Sequence, residues 1–553
     1  MFEYWYYNIE QLFRSSGLQK IQWQAKERSC RIWRSMKTRT QHDYRQYQSS
    51  RGVKTVELFN YDDSDIESIY KYAQKVVGVE FADILKAFQE STYKTYQDYI
   101  NQTPSTTPDK KISSASKGQY GTGIEKYYFG IPTNSSTEPD FNKVGVELKV
   151  TPFKINKDEK ISAKERLVLG NINYMNENLD DFYKSHAWKK GGSILLLPYH
   201  FIKNQDILKN KITKVHLLKI LEEDLPTIIS DYQKIAQKIK EGRAHELSER
   251  DGMYLSTSRK GAGKGRDLTS QPFSDAPANK RAWSFKQSYI TRLYQETIFT
   301  SEELESIARA TKDTSKPFTQ ILEEKILQYR GKSEKELCKE FDVKFKSKGR
   351  NSTLVRKILG LSSDIDNTVE FKKANMNIRA IRVNKNGLPE EDSPFKNYIF
   401  NELLNEKDWE ESHIYTEIFS KELMFVVFRE TAPKTYVLDH VKFWGFPESL
   451  ESELMRVWQE TKDIIIQGIK LTPKPRGEDG VQVFTNFPKS QKNKIIFTKV
   501  HASESYYELE PGKFVGKGSL KDTDELPDGR RITKHSFWLP KKFVQQILRG
   551  EWD

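Results

Sequence analysis

The spacing of apolar and polar positions changes character several times along the chain. Behind the acidic run Asp62-Asp-Ser-Asp, apolar residues recur at helical spacing through Tyr72-Ala73. This predicts an amphipathic helix capped by Asp63 or Ser64, its acids favoured by the positive helix end. Thr103–Ser116, rich in Pro, Ser, Thr and Lys, reads as a loop. Val144, Val146, Leu148 and Val150 alternate, which predicts a strand with one buried face. Glu147 and Lys149 project from its other face. A mixed α/β pattern continues to about Glu296. Residues 301–340 then read as helices, with a capping start at Ser301-Glu-Glu-Leu and a periodic stretch over Ile321–Tyr329. A second mixed block fills 341–553, and Leu423–Phe428 is its strand candidate.

The two mixed blocks share landmarks in the same order. Ser116-Lys-Gly-Gln returns as Ser347-Lys-Gly-Arg, and Tyr254 through Gly265 matches Tyr507 through Gly518 without a gap. Ala282-Trp-Ser-Phe-Lys-Gln-Ser-Tyr-Ile echoes Ser536-Phe-Trp-Leu-Pro-Lys-Lys-Phe-Val. The shared order predicts two copies of one fold. Residues 1–53 stand apart, with seven Arg to three Lys, three of the ten Trp and no clean period. They read as an appended or poorly ordered extension, even an over-long reading frame, with a DNA-touching arm as the alternative.

Composition narrows the partners. The 553 residues carry 90 Lys+Arg against 77 Asp+Glu, a formal +13, which points to a polyanion and first to nucleic acid. Cys30 and Cys338 are the only cysteines. They exclude a Cys-rich zinc site or a disulfide framework and suggest a reducing cytoplasm. No H-x-x-x-H pair occurs, no apolar run approaches a membrane span, and Glu3 and Glu10 argue against a signal peptide.

The candidate chemistry lies in Asp140-Phe-Asn-Lys-Val-Gly-Val-Glu-Leu-Lys-Val-Thr-Pro. A turn around Asn142–Lys143 would bring the Asp140 carboxylate beside that of Glu147. Oxygen ligands suit a hard cation such as Mg²⁺, which can polarise a phosphodiester, while a nearby ammonium orients water or stabilises phosphorane charge. This D-x(n)-E-x-K arrangement occurs in many metal-dependent nucleases. A solvated strand face can also produce it.

Further segments raise the nuclease reading. Gly145-Val-Glu-Leu-Lys-Val-Thr-Pro resembles the core motif of the MutH-type endonucleases, which comprise a mismatch-repair nickase and type II restriction enzymes that cut at GATC. Lys117-Gly-Gln-Tyr-Gly-Thr-Gly-Ile-Glu125 is similar to that family's upstream segment, and Ser185-His-Ala-Trp-Lys-Lys190 to the one carrying a second active-site lysine. Lys164-Glu-Arg-Leu-Val-Leu-Gly-Asn-Ile-Asn-Tyr and Gly242-Arg-Ala-His-Glu-Leu-Ser-Glu look closer to the restriction-enzyme branch. The resemblance implies a restriction-endonuclease-like (PD-(D/E)xK) α/β fold with two tandem MutH-like domains. The expected division is an atypical extension over 1–55, a catalytic domain over 56–300, a helical linker over 301–340 and an inactive DNA-binding or effector domain over 341–553. It also implies that Glu125, Asp140 and Glu147 hold Mg²⁺, that Lys149 activates the attacking water, and that Lys190 contacts the scissile phosphate and Lys117 a neighbouring one. Lys189, beside Lys190, is the alternative for that role.

Ser256-Thr-Ser-Arg-Lys-Gly-Ala-Gly-Lys-Gly-Arg266 holds four basic residues, three glycines and no acid. Such a loop allows close backbone approach to DNA, and its bases can reach phosphates or guanine edges; a solvated flexible loop is the alternative. It sits where the family reads its site, so Ser258, Arg259, Lys260, Gly261 and Lys264 are the recognition candidates. Ser284 stands where the nickase has a Tyr that senses adenine methylation, which implies cleavage not blocked by N6-methyladenine. In the second block Arg356 replaces the acid, and a remnant strand Val369-Glu-Phe-Lys-Lys keeps an E-x-K with Asp364 upstream. Lys513 and Lys517 are its DNA-contact candidates. The expected function is a Mg²⁺-dependent type II restriction endonuclease acting on double-stranded DNA, probing a second DNA site and dimerising on DNA. A mismatch-repair nickase and a non-catalytic DNA-binding protein are the alternatives.

Overall fold

The structure, a computed structural model, describes residues 58–92, 118–132, 136–156, 159–261, 267–299, 304–347, 349–476 and 480–552. The atypical extension, the Thr103–Ser116 loop, Lys117, Lys264 and Ser301 lie outside the described residues.

The strand predicted around Leu148 is β1 (Glu147–Ile155). It pairs antiparallel with β2 (Ile161–Ala163). After β3 (Leu167–Asn171), the chain returns as β4 (Ser193–His200), which runs parallel to β1. A parallel pair needs such a crossover. β5 (His216–Lys219) completes a sheet of order β2-β1-β4-β5. The run Ile194–Leu197 is buried on both faces of β4, so it reads as continuously apolar rather than alternating. The helix Leu225–Lys240 carries Ile228, Tyr232, Ile235 and Ile239 into the core at helical spacing. From the same helix, buried Asp231 accepts the backbone amides of Met253, Tyr254 and Leu255. Burial still pushes its carboxyl up to about 6. This anchor fixes the entry of β6 (Leu255–Arg259). A hairpin of β7 (Leu268–Gln271) and β8 (Ser274–Asn279) follows, and β9 (Arg281–Phe285) lies between β3 and β6.

The second half repeats this order of pairing. β10 (Met376–Val383) precedes β11 (Ser393–Asn397) and runs parallel to β12 (Glu422–Ala432), which pairs antiparallel with β13 (Thr435–Gly445). A hairpin of β14 (Leu471–Arg476) and β15 (Gly480–Thr485) precedes β16 (Phe497–Val500). Two further hairpins follow, β17 (Tyr506–Glu510) with β18 (Lys513–Gly516) and β19 (Thr523–Glu525) with β20 (Arg531–Thr533). β21 (His535–Leu539) lies between β11 and β16, as β9 lies between β3 and β6. Along β12 the alternation is strict: Met424, Val426 and Phe428 enter a core shared with the first half, while Leu423, Phe425 and Val427 enter a second core. One strand thus closes two hydrophobic layers, which explains why Leu423–Phe428 shows no polar face.

Several expectations are corrected. The first described helix is Ile66–Lys75, and its cap is Asp65, which accepts the Glu67 amide. Ser64 is unavailable because its hydroxyl and amide both donate to Asp62. In 301–340 the first described helix starts at Ile307 behind a Ser306 cap. Val369–Ala374 is a helix, not a remnant strand. Its Glu370 accepts the Ser306 hydroxyl and the Ile307 and Ala308 amides, so that E-x-K glutamate caps a neighbouring helix. Lys373 donates to both carboxylate oxygens of Asp224 at 2.9 Å and is fully buried between the halves. The gapless match of Tyr254 to Tyr507 also fails topologically, because the strand in the place of β6 is β16 and Tyr507 lies on β17.

Candidate active site

A tight turn over Asn142–Gly145 precedes β1, closed by mutual backbone bonds of Phe141 and Val146. It folds Asp140 back onto the strand. The Asp140 amide donates to Glu147 Oε2 at 3.2 Å, and the Leu148 amide donates to Asp140 Oδ2 at 3.0 Å. Two carboxylates seven positions apart in sequence are thereby locked side by side.

The Glu147 carboxylate is the hub. It is only 2% exposed, with Lys149 Nζ at 2.7 Å from Oε1 and Lys190 Nζ at 2.9 Å from Oε2. Lys190 sits on the short helix His186–Gly191, capped by the Ser185 hydroxyl, directly before β4. The parallel register sets Ile194 of β4 opposite Glu147, which brings that helix over the β1 carboxylate. Lys190 is the inward lysine, whereas Lys189 points out to Glu138 on the surface.

Glu125 stands on the π-helical turn Ile124–Tyr128, which continues the helix Gln119–Gly123. Burial raises its pKa, and repulsion from Asp140 and Glu147 adds to the rise. Burial and the Glu147 charge likewise hold the Asp140 carboxyl above its usual range. These shifts mark three acids in one electrostatic neighbourhood, with Lys149 and Lys190 opposing them. Hard oxygen donors under mutual repulsion suit a small divalent cation. Among the described residues no group of three or more His, Cys, Asp or Glu is preassembled as a cage. In this arrangement both oxygens of Glu147 are engaged by ammonium groups.

The described recognition candidates lie on the sheet β3-β9-β6 and just past the end of β6. Ser258 is buried on β6 with a hydroxyl that has no partner among the described residues, and Arg259 is exposed at the strand end. The Lys260 amide donates to the Lys280 carbonyl. Burial lowers the Lys260 pKa, with the nearby cations Arg166 and Lys149 adding to the effect. Gly261 takes φ +102°, and a Cβ there would fall 2.0 Å from the Asp267 carboxylate, so the turn requires glycine. Ser284 is buried on β9 opposite Ser256. Sequence reasoning singled out neither Arg166, Arg281 nor Lys286. Arg166, Arg259, Ser284 and Lys286 line a cleft of about 1420 Å³, and carboxylates of the second half line its other wall. Between the halves Arg281 pairs with Glu448, Lys286 with Glu422 and Lys154 with Glu411. No local pattern marks these cations, since their shared wall exists only after the strands pair. Lys513 and Lys517 are exposed at β18 and its end, and Lys513 pairs with Glu510. They do not join the first centre.

Among the described residues no helix is long and apolar enough to cross a membrane. Residues 129–231, which include Asp140, Glu147, Lys149 and Lys190, match the family described as the DNA mismatch repair enzyme MutH. A restriction-endonuclease-like fold goes with that family, and the mixed α/β sheets here agree with it. The chain is also 30% identical over 455 residues to the type II restriction enzyme Sau3AI of Staphylococcus aureus, covering 78% of this chain and 92% of that enzyme. The match to most of a restriction enzyme, together with the MutH-type core segment, shows that the chain belongs to the MutH-type endonucleases, as a site-specific deoxyribonuclease acting on double-stranded DNA.

Proposed function

We propose that this enzyme cuts both strands of duplex DNA at 5′-GATC-3′, before the G, with Mg²⁺, leaving 5′-phosphate and 3′-hydroxyl ends. One observation carries the reading: a buried glutamate, Glu147, held by the Asp140 backbone amide and by two lysines that converge from different elements. A structural strand face has no use for two ammonium groups on one buried carboxylate beside two further acids of raised pKa. Glu125, Asp140 and Glu147 would hold the metal, which supplies Lewis-acid polarisation of the phosphodiester when bound. Lys149, which is 22% exposed, faces solvent more than Lys190 does and orients the attacking water. Lys190 is placed to balance charge developing on the scissile phosphate. Lys117 would hold a neighbouring phosphate. Ser258, Arg259, Lys260, Gly261 and Lys264 form the reading loop, and the small Ser284 leaves room for an adenine methyl group.

The catalytic domain is residues 56–300, followed by the helical connector 301–340 and a second, inactive MutH-like domain over 341–553. The repeated strand order supports this division. The second domain serves as an effector DNA site, with Lys513 and Lys517 among its contacts. Because the two domains are unlike, a palindrome is cut by dimerisation on DNA or by two successive nicks. Digestion of a sequenced plasmid with Mg²⁺, with the ends mapped, tests the proposal. Double-strand ends before the G of GATC are expected. Nicked circles alone would favour a nickase, and ends mapped elsewhere would overturn the specificity.

A further inference from the structure

The true counterpart of the first centre lies on β10. The Ile378 amide donates to Asp366 Oδ1 at 2.9 Å, as the Leu148 amide donates to Asp140 Oδ2 at 3.0 Å. Both contacts sit at the start of a strand paired in parallel with the next long strand of its half. They fix the equivalence: Asp366 for Asp140, Asn377 for Glu147 and Arg379 for Lys149. Gly349, left-handed at φ 73°, opens the helix Arg350–Ile358 as Gly118, at φ 88°, opens Gln119–Gly123. Counting from these glycines sets Arg356 in the place of Glu125. Ser412 caps its helical turn as Ser185 does, which sets Glu417 in the place of Lys190.

The exchanges invert the charge. The first centre holds three carboxylates against two ammonium groups. Around β10, Arg379, Lys372, Lys396 and Lys421 stand against Asp366 and Glu417. Arg379 reaches over the Phe395 ring at 5.1 Å, and its buried Nε has no acceptor among the described residues. A buried guanidinium donor without a partner favours an incoming anion. Burial lowers the pKa of Lys372 and of Lys421, and the neighbouring Lys396 adds to both shifts. Although partly desolvated, Lys372 is exposed and lines the cleft shared with the first half, so this edge of the centre is open to a ligand.

We propose that this vestigial centre is a metal-independent clamp for a DNA phosphodiester, in which the Arg379 guanidinium and the Lys372 and Lys421 ammonium groups neutralise the phosphate without cutting it. Asn377 carries no charge to hold a cation, and the guanidinium occupies the place of the water-orienting amine. The inference rests on reading the second half as a DNA site, and it names where the backbone is gripped.

The test uses the full chain in EDTA, where no cutting occurs, titrated with short labelled duplexes with and without GATC. Stoichiometry and the affinity of each site are measured across salt concentrations. The unaltered chain is expected to bind two duplexes. Arg379→Gln or Lys372→Gln weakens one of them about tenfold, equally for both duplexes, and lowers the salt slope by about one unit. Arg379→Lys, which keeps the charge and loses the fork, gives an intermediate value. Lys372 is exposed, so its variant also serves as the control for folding. Two duplexes bound within twofold of the original affinity in both Gln variants, with loss only in Lys513→Gln/Lys517→Gln, overturns the clamp while the second DNA site stands. One duplex per unaltered chain overturns both.

Discussion

Replacing Lys190 and Lys189 separately by glutamine sets two adjacent residues of identical chemistry against each other. Lys190 Nζ is 2.9 Å from Glu147 Oε2, with side-chain exposures of 7% and 3%. In so dry a place an ammonium acts on developing negative charge with little screening. Loss of one such stabilising donor costs about 2.7–4 kcal/mol of barrier, or roughly 10²–10³-fold in rate. Stability should fall too, but by less than the ~3–5 kcal/mol of a fully broken buried pair, because Lys149 still neutralises Glu147. Lys189 meets Glu138 at 2.6 Å with exposures of 40% and 52%. Such surface pairs contribute about 0–1 kcal/mol, so Lys189→Gln should change cleavage by less than about fivefold. The assay is single-turnover cleavage of a GATC duplex with saturating Mg²⁺, beside thermal unfolding of each variant. Equal losses in the two variants, or a larger loss in Lys189→Gln, would refute the assignment.

Asp140→Asn keeps an oxygen to accept the Leu148 amide, so unfolding should shift by no more than about 1 kcal/mol while calorimetric Mn²⁺ binding disappears. Glu125→Gln removes a charge that burial and Asp140 disfavour, and should stabilise the EDTA-treated protein by about 0.5–2 kcal/mol at neutral pH while abolishing cutting. The raised carboxyls of Glu125 and Asp140 also set a pH dependence. Below their folded pKa values both are protonated, so metal affinity falls with falling pH sooner than ordinary carboxylates would allow. For folding the sign is reversed: the native state binds the extra protons, so metal-free stability declines as pH rises from the ordinary carboxylate range through the raised values. Calorimetry in EDTA across that window would show the slope, and a rise there would contradict it. Lys373→Met strands buried Asp224 and should cost about 3–5 kcal/mol in denaturant unfolding; a change under about 1 kcal/mol would mean that the two halves are held together elsewhere.

The first centre was legible because its parts are local or nearly so. The turn that returns Asp140 to Glu147 spans a few residues, and alternation alone places Glu147 and Lys149 on one side of β1. The sequence also marked β12, because a strand buried on both faces must be continuously apolar. Choosing Lys190 over Lys189 was a tertiary matter, since either could point inward from a helix of six residues until the β1–β4 register aimed it. The second half misled for the same reason. Val369-Glu-Phe-Lys carries the right letters, but Glu370 is drawn to an open helix end and Lys373 to a buried aspartate, so the segment coils. The pair inferred to be its counterpart, Asn377 and Arg379, lacks the letters and shares only the hydrogen bond from a strand amide to an aspartate, here Asp366. Charge patterns in sequence record which groups are available; packing and strand register decide which of them meet.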